Sequence, residues 1–148
     1  MSDFPELTSF GTLFKFAVSL EEAAAELAQA AAKKEDCAAS WRDFLSDCAA
    51  KHQKRSKRLE QLRRERLNEV VLQPIAGMDA ENYAPEAVPE GDAKQALGAL
   101  ATTEEKAAQF YEDAAKTAAN VLTGVEKTLL KLARQNKEIA TELRAKVL

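Results

Sequence analysis

Four stretches of this 148-residue chain carry an apolar stripe at helical spacing, and each stripe is broken near its middle by a polar or charged side chain. Residues three, four and seven apart share one face of an α-helix. On that count Phe14, Ala17, Glu21, Ala24, Ala28 and Ala31 form the first stripe, and Trp41, Phe44, Leu45, Cys48, His52, Arg55, Leu59 and Leu62 the second. Leu97, Leu100, Glu104, Ala107, Ala108, Tyr111 and Ala114 form the third, and Leu122, Val125, Leu129, Leu132, Asn136, Ile139 and Leu143 the fourth. Four such helices bury their stripes by packing on one another, which carries Glu21, His52, Arg55, Glu104 and Asn136 into a common interior. A buried charge is stable only when it is paired or bound to a metal, so the centre of the bundle is the candidate site.

The rest of the chain agrees with an all-α fold in one domain spanning 1–148. Ala, Leu, Glu, Lys and Arg dominate, and the few Gly and Pro residues are clustered, so helix propensity is high almost everywhere. The expected helices are about 12–34, 37–71, 93–119 and 124–147. Asp36 and Asp92 are the expected N-caps of the second and third, and Thr123 to Glu126 has capping-box spacing at the start of the fourth. Residues 72–92 hold Pro74, Pro85, Pro89, Gly77 and Gly91 and read as a connection. About 20 extended residues reach roughly 65 Å, the length of a helix well over 30 residues long. The second and third helices can therefore run parallel, giving two helix hairpins joined by a long crossover.

A formal charge of −3 argues against a general nucleic-acid binder. No apolar run approaches the roughly 20 residues of a membrane span, and the N-terminus lacks a signal-peptide core, so a cytoplasmic protein is expected. Cys37 and Cys48 lie about 16 Å apart along one helix, too far to bridge each other, and their spacing is not that of a zinc motif. They are expected to be reduced, with Cys48 in the core. Phe4, Phe10, Phe14 and Phe16 concentrate apolar bulk that suits packing across the bundle end or a dimer seam.

An internal repeat runs through the chain. Ser19–Lys33 aligns without a gap on Thr102–Lys116, sharing Glu-Glu and two Ala-Ala pairs and matching Glu21 to Glu104. The pattern resembles the rubrerythrin branch of the ferritin-like superfamily, in which the first and third helices carry a Glu followed seven residues later by an aromatic, as Glu104 is followed by Tyr111. Aligning Cys48-Ala49 and Leu132-Ala133 on that family's Leu-Ala pairs puts His52 and Arg55, and then Asn136 and Ile139, at its Glu-x-x-His positions. The resemblance implies a ferritin-like four-helix bundle. It also implies a di-iron site, and there the residues depart from the family: the chain has one histidine and no Glu-x-x-His.

Two irons in a bundle core need about six ligands, mostly carboxylates with imidazoles, whereas Glu21, Glu104 and His52 are what remains, with Arg55 a permanent positive charge among them. The favoured reading is therefore a non-catalytic bundle with no cofactor. In it Arg55 pairs with both Glu21 and Glu104, His52 and Asn136 supply hydrogen bonds, and Tyr111 packs in the core with its hydroxyl on a carboxylate. The competing reading is a divergent iron or manganese protein acting on iron or peroxide, with Glu21, His52 and Glu104 as ligands and Tyr111 beside them. The second helix is also basic: Lys51, Lys54, Lys57, Arg58, Arg63, Arg64 and Arg66 accompany Arg55 against two glutamates. No aromatic side chains interleave with this run, which argues against stacking on bases. Such a run can bind RNA, anionic lipid or an acidic partner, or stand simply as a solvated helix face. It is the candidate contact surface for a protein partner, with a homodimer the other association considered, and the acidic residues of 72–92 could fold back over it.

Overall fold

The structure, a computed structural model, describes residues 7–66, 74–119 and 121–147, apart from the side chains of Arg66, Thr123 and Val147. Among these residues the chain is all-helical, with α1 at Phe10–Ala32, α2 at Ala39–Arg66, α3 at Ala93–Ala118, α4 at Thr123–Val147 and a 3-10 turn at Ala80–Tyr83. The stretch 67–71 expected to extend α2 lies outside the described residues. No described helix is long and apolar enough to cross a membrane.

Local chemistry sets the helix ends. Ser9 caps α1 in a reciprocal box with Thr12, each side chain accepting a backbone N–H of the other, and this starts the helix two residues before its expected position. Asp92 caps α3 as expected, with Gln95 closing the box. Asp36 does not cap α2. That helix begins after Ala38, whose carbonyl accepts from Trp41 and Arg42, while the Asp36 carboxylate accepts the backbone N–H of Ala93 at 3.1 Å. The acid thus satisfies the first turn of another helix, joining the C-terminal end of α1 to the start of α3. At α4 the cap position belongs to Leu122, whose carbonyl accepts from Val125 and Glu126, so Thr123 is already inside the helix.

Packing follows the stripes. α1 packs on α2, α3 on α4, and α1 on α3. All six stripe residues of α1 and all seven of α3 are buried, as are Leu45, Cys48, His52 and Leu59 of α2 and Val125, Leu129, Leu132, Asn136 and Leu143 of α4. α1 buries more than its stripe: Phe10, Leu13, Phe16, Leu20 and Leu27 are also inside. Phe10, Phe14 and Phe16 are therefore core residues of the single chain; Phe4 lies outside the described residues.

The connection explains the extra burial. It leaves the start of α1, where Ile75 N–H donates to the Thr8 carbonyl at 3.0 Å, and turns at Gly77, whose φ of 86° suits a residue without Cβ. It then runs along α3. Tyr83 Oη donates to Asp113 at 2.6 Å, Glu86 N–H donates to Thr103 Oγ1 at 3.0 Å, and Lys106 Nζ donates to the Ala84 carbonyl at 3.1 Å. Near its end Lys34 Nζ reaches the Pro89 carbonyl at 3.3 Å. The acidic connection thus lies over α1 and α3, with Glu86 beside Lys106, and does not fold over the basic side of α2. Phe110 sits at the junction, with ring centroids 5.2 Å from Phe16, 5.4 Å from Tyr83 and 5.3 Å from Tyr111.

Phe110→Ala removes the ring that joins α1, α3 and the connection, and is expected to cost about 3–5 kcal/mol in urea denaturation. A loss below about 1 kcal/mol would mean that the connection is not packed as described.

Candidate functional site: a buried acid–base cluster

Five polar residues are fully buried among those described: Glu21, His52, Thr103, Glu104 and Asn136. Thr103 holds the connection. The other four are the interruptions of the four stripes, one from each helix, and they meet at mid-bundle together with Arg55.

His52 stands between the two glutamates. Its Nδ1 is 2.7 Å from Glu21 Oε2 and its Nε2 is 2.6 Å from Glu104 Oε1. Imidazole carries its two nitrogens on opposite sides of a rigid ring, so one side chain from α2 can touch acids on both α1 and α3. Burial by itself would push the His52 pKa down, but the charge of Glu104 and the contacts with both carboxylates outweigh it and raise the pKa from 6.5 to about 9. At neutral pH the ring is then imidazolium, donating from Nδ1 to Glu21 and standing within ion-pair distance of Glu104 at Nε2.

Arg55 completes the charge balance. One turn beyond His52 on α2, its Nη1 donates to Glu21 Oε1 at 3.3 Å and to Asn136 Oδ1 at 2.5 Å, and its Nη2 donates to Gln135 Oε1 at 2.7 Å. Formal charges of Glu21, Glu104, His52 and Arg55 sum to zero, which is the condition for holding four ionisable groups in a core. The expected pairing of Arg55 with both acids is corrected: Arg55 takes Glu21 alone, and His52 takes Glu104. The reason is reach. The longer Arg55 side chain passes Glu21 and ends on α4, leaving the shorter, two-sided imidazole to bridge the acids. Gln135 went unseen in the sequence because it lies just off the α4 stripe; Asn136, on the stripe, was the signal that this turn of α4 faces polar partners.

Tyr111 is fully buried beside the cluster. Burial first, and then the negative charge of Glu21, push its pKa well above the ordinary 10, so the phenol stays protonated. Its hydroxyl makes no hydrogen bond of good geometry, and neither do His52 Nε2, Glu104 Oε1, Glu104 Oε2 and Asn136 Nδ2, so that His52 and Glu104 meet as a close ion pair. Cys48, one turn before His52, is a free buried thiol; burial, with Glu104 adding to it, pushes its pKa to about 12, far from thiolate chemistry. Cys37 is likewise free and buried.

Lys51, Lys54, Lys57, Arg58 and Arg64 are exposed on α2, Arg63 is half-buried, and the Arg66 side chain lies outside the described residues. Arg63 and Arg64 lie within 4 Å of Glu60. The cluster and the basic surface are thus two faces of one helix.

Searches against protein-family models, curated proteins and solved structures return no significant match.

Two measurements probe the cluster. The folded-state pKa of His52 lies above its unfolded value, so its stabilisation is complete below pH 6.5 and is lost as pH rises through about 9. At 1.36 kcal/mol per pKa unit this amounts to about 3 kcal/mol. The unfolding free energy should fall over that interval, and the combined variant His52→Gln, Glu104→Gln should flatten the slope; an unchanged slope would assign it to other groups. Arg55→Ala strands the second charge on Glu21 and is expected to cost about 3–5 kcal/mol. Adding Glu21→Gln should recover part of that loss, whereas additive losses on thermal melts would refute the pairing.

Proposed function

We propose that this chain is a ferritin-like, rubrerythrin-like bundle in which a charge-neutral network fills the di-iron position, and that it acts non-catalytically as a structural or partner-binding module. One observation carries the reading: His52 places a ring nitrogen against each of the two acids that the repeat makes equivalent. The alignment of Glu21 with Glu104 in the sequence repeat supports a duplicated hairpin, and two pairs of packed helices, α1 with α2 and α3 with α4, are compatible with it.

The donor set does not fit a di-iron pair. Such centres draw a Glu from each of two helices and a Glu-x-x-His from each of the other two; here α2 offers His52 and Arg55, and α4 offers Asn136 and Ile139. A metal-binding imidazole must be neutral, and His52 is held protonated by the same carboxylates a metal would need. The guanidinium on Glu21 adds a fixed positive charge. A second reading, an iron or manganese protein using Glu21, His52 and Glu104, draws support from the unpartnered Glu104 Oε2 and Tyr111 Oη next to the cluster. It requires His52 to lose a proton and turn from one acid, and Arg55 to leave Glu21.

Metal analysis separates the two. Protein purified without chelator and then offered ferrous iron or manganese at neutral pH should retain far less than one ion per chain after desalting. Stoichiometric retention that Glu104→Gln abolishes would overturn the proposal in favour of the metalloprotein.

A further inference from the structure

Charge is divided between two sides of the bundle. Where α2 and α4 lie side by side, a groove of about 640 Å³ is lined by Lys51, Lys54, Arg58 and Lys131, with Glu138 the one carboxylate in the lining. These four cations are exposed and have no ion-pair partner among the described residues. The α1–α3 side carries the connection instead. Residues 74–92 hold Asp79, Glu81, Glu86, Glu90 and Asp92 and no Lys or Arg, and all five acids are exposed. Glu86 has Lys106 beside it, whereas Glu81 and Glu90 have no ion-pair partner among the described residues.

The two patches cannot neutralise each other within one chain. Tyr83 bonded to Asp113, the Glu86 backbone bonded to Thr103 and Lys106 bonded to the Ala84 carbonyl tie the connection to α3, and Lys34 holds the Pro89 carbonyl. Carrying Glu81 or Glu90 to Lys54 would break these bonds and take Tyr83 off the Phe110 ring. Apolar surface follows the same division. Val88, between Glu86 and Glu90, is exposed, and the half-buried Leu62 and Ile139 lie in the groove among the cations.

We infer that the α2–α4 side of one copy docks the acidic connection of a second copy. Complementary potentials steer such an encounter and fix its register, and the chain supplies both surfaces in equal number. Because the patches lie on opposite sides of the bundle, the contact is heterologous: each copy offers one patch to the copy before it and the other to the copy after it, so copies add head to tail rather than as a two-fold pair. Contacts between exposed charges are individually weak and screened by salt, so the association is reversible. The inference rests on the partner-binding part of the proposed function and names its partner. Metal retention, which probes the interior, tests that proposal separately.

Sedimentation velocity over a concentration series tests the inference, in about 10 mM and about 1 M salt, between which the Debye length falls from about 30 Å to about 3 Å. The mean mass is expected to rise with concentration at low salt and to stay at that of one chain at high salt. Lys54→Glu with Lys131→Glu should weaken association at least tenfold, and so should Glu81→Lys with Glu90→Lys; all four positions are exposed. An equal mixture of the two variants keeps one native contact, the unchanged groove of the second on the unchanged connection of the first, and should associate where neither does alone. Lys15→Glu with Lys33→Glu, at exposed positions of α1 outside both patches, makes the same change in net charge as the first variant and should associate like the parent chain. A single-chain mass throughout the series at low salt would overturn the inference, as would association that survives high salt, a mixture no more associated than its components, or equal losses in the two Lys→Glu variants.

Discussion

An imidazolium held between two carboxylates links three helices at one point. Glu21 reaches it from α1 and Glu104 from α3, while His52 itself stands on α2. No apolar side chain could replace the ring without leaving Glu104 buried and unpaired and Glu21 with Arg55 alone, and removing one partner of such a set costs several kcal/mol. The fourth helix enters through Arg55, whose guanidinium reaches Asn136 and Gln135. The cluster therefore fixes the level at which all four helices meet. It tolerates this much charge because two acids and two bases cancel.

The same arrangement explains why the two sides of the bundle differ. The connection needs a surface on which to lie, and Phe16 of α1 with Phe110 of α3 provides one, with Tyr83 of the connection against the Phe110 ring. α1 is consequently buried far beyond a single stripe. Among the described residues α2 and α4 receive no such cover, and both carry exposed cations. An interior neutral by internal pairing and a basic exterior on one side divide the chemistry of α2 between its inner and outer faces.

Much of this was legible in the residues. Four helices, their approximate limits, the long connection and the buried set Glu21, His52, Glu104 and Asn136 follow from periodicity, because a stripe that must be buried carries its polar members inside. The pairing within the set did not follow. Periodicity places Arg55 and His52 on one face but says nothing of side-chain reach, and reach decides which base takes which acid. Asp36 shows the same limit: the sequence marks it as a helix cap, and only tertiary placement makes it cap α3 in place of α2. The path of the connection was equally hidden, since its contacts with Thr103, Lys106 and Asp113 depend on how α3 is rotated. The repeat matching Glu21 to Glu104 was the most informative long-range signal, and those two residues are the acids that face each other across the imidazole.

The protonation state of His52 tests the central claim most directly. It is the one histidine of the chain, so nitrogen-detected NMR of the imidazole needs no assignment. The expected result at pH 7.5 is a ring protonated at both nitrogens that titrates near pH 9. A neutral single tautomer at pH 7.5, titrating near 6.5, would contradict it and would leave the two buried carboxylates without their shared cation.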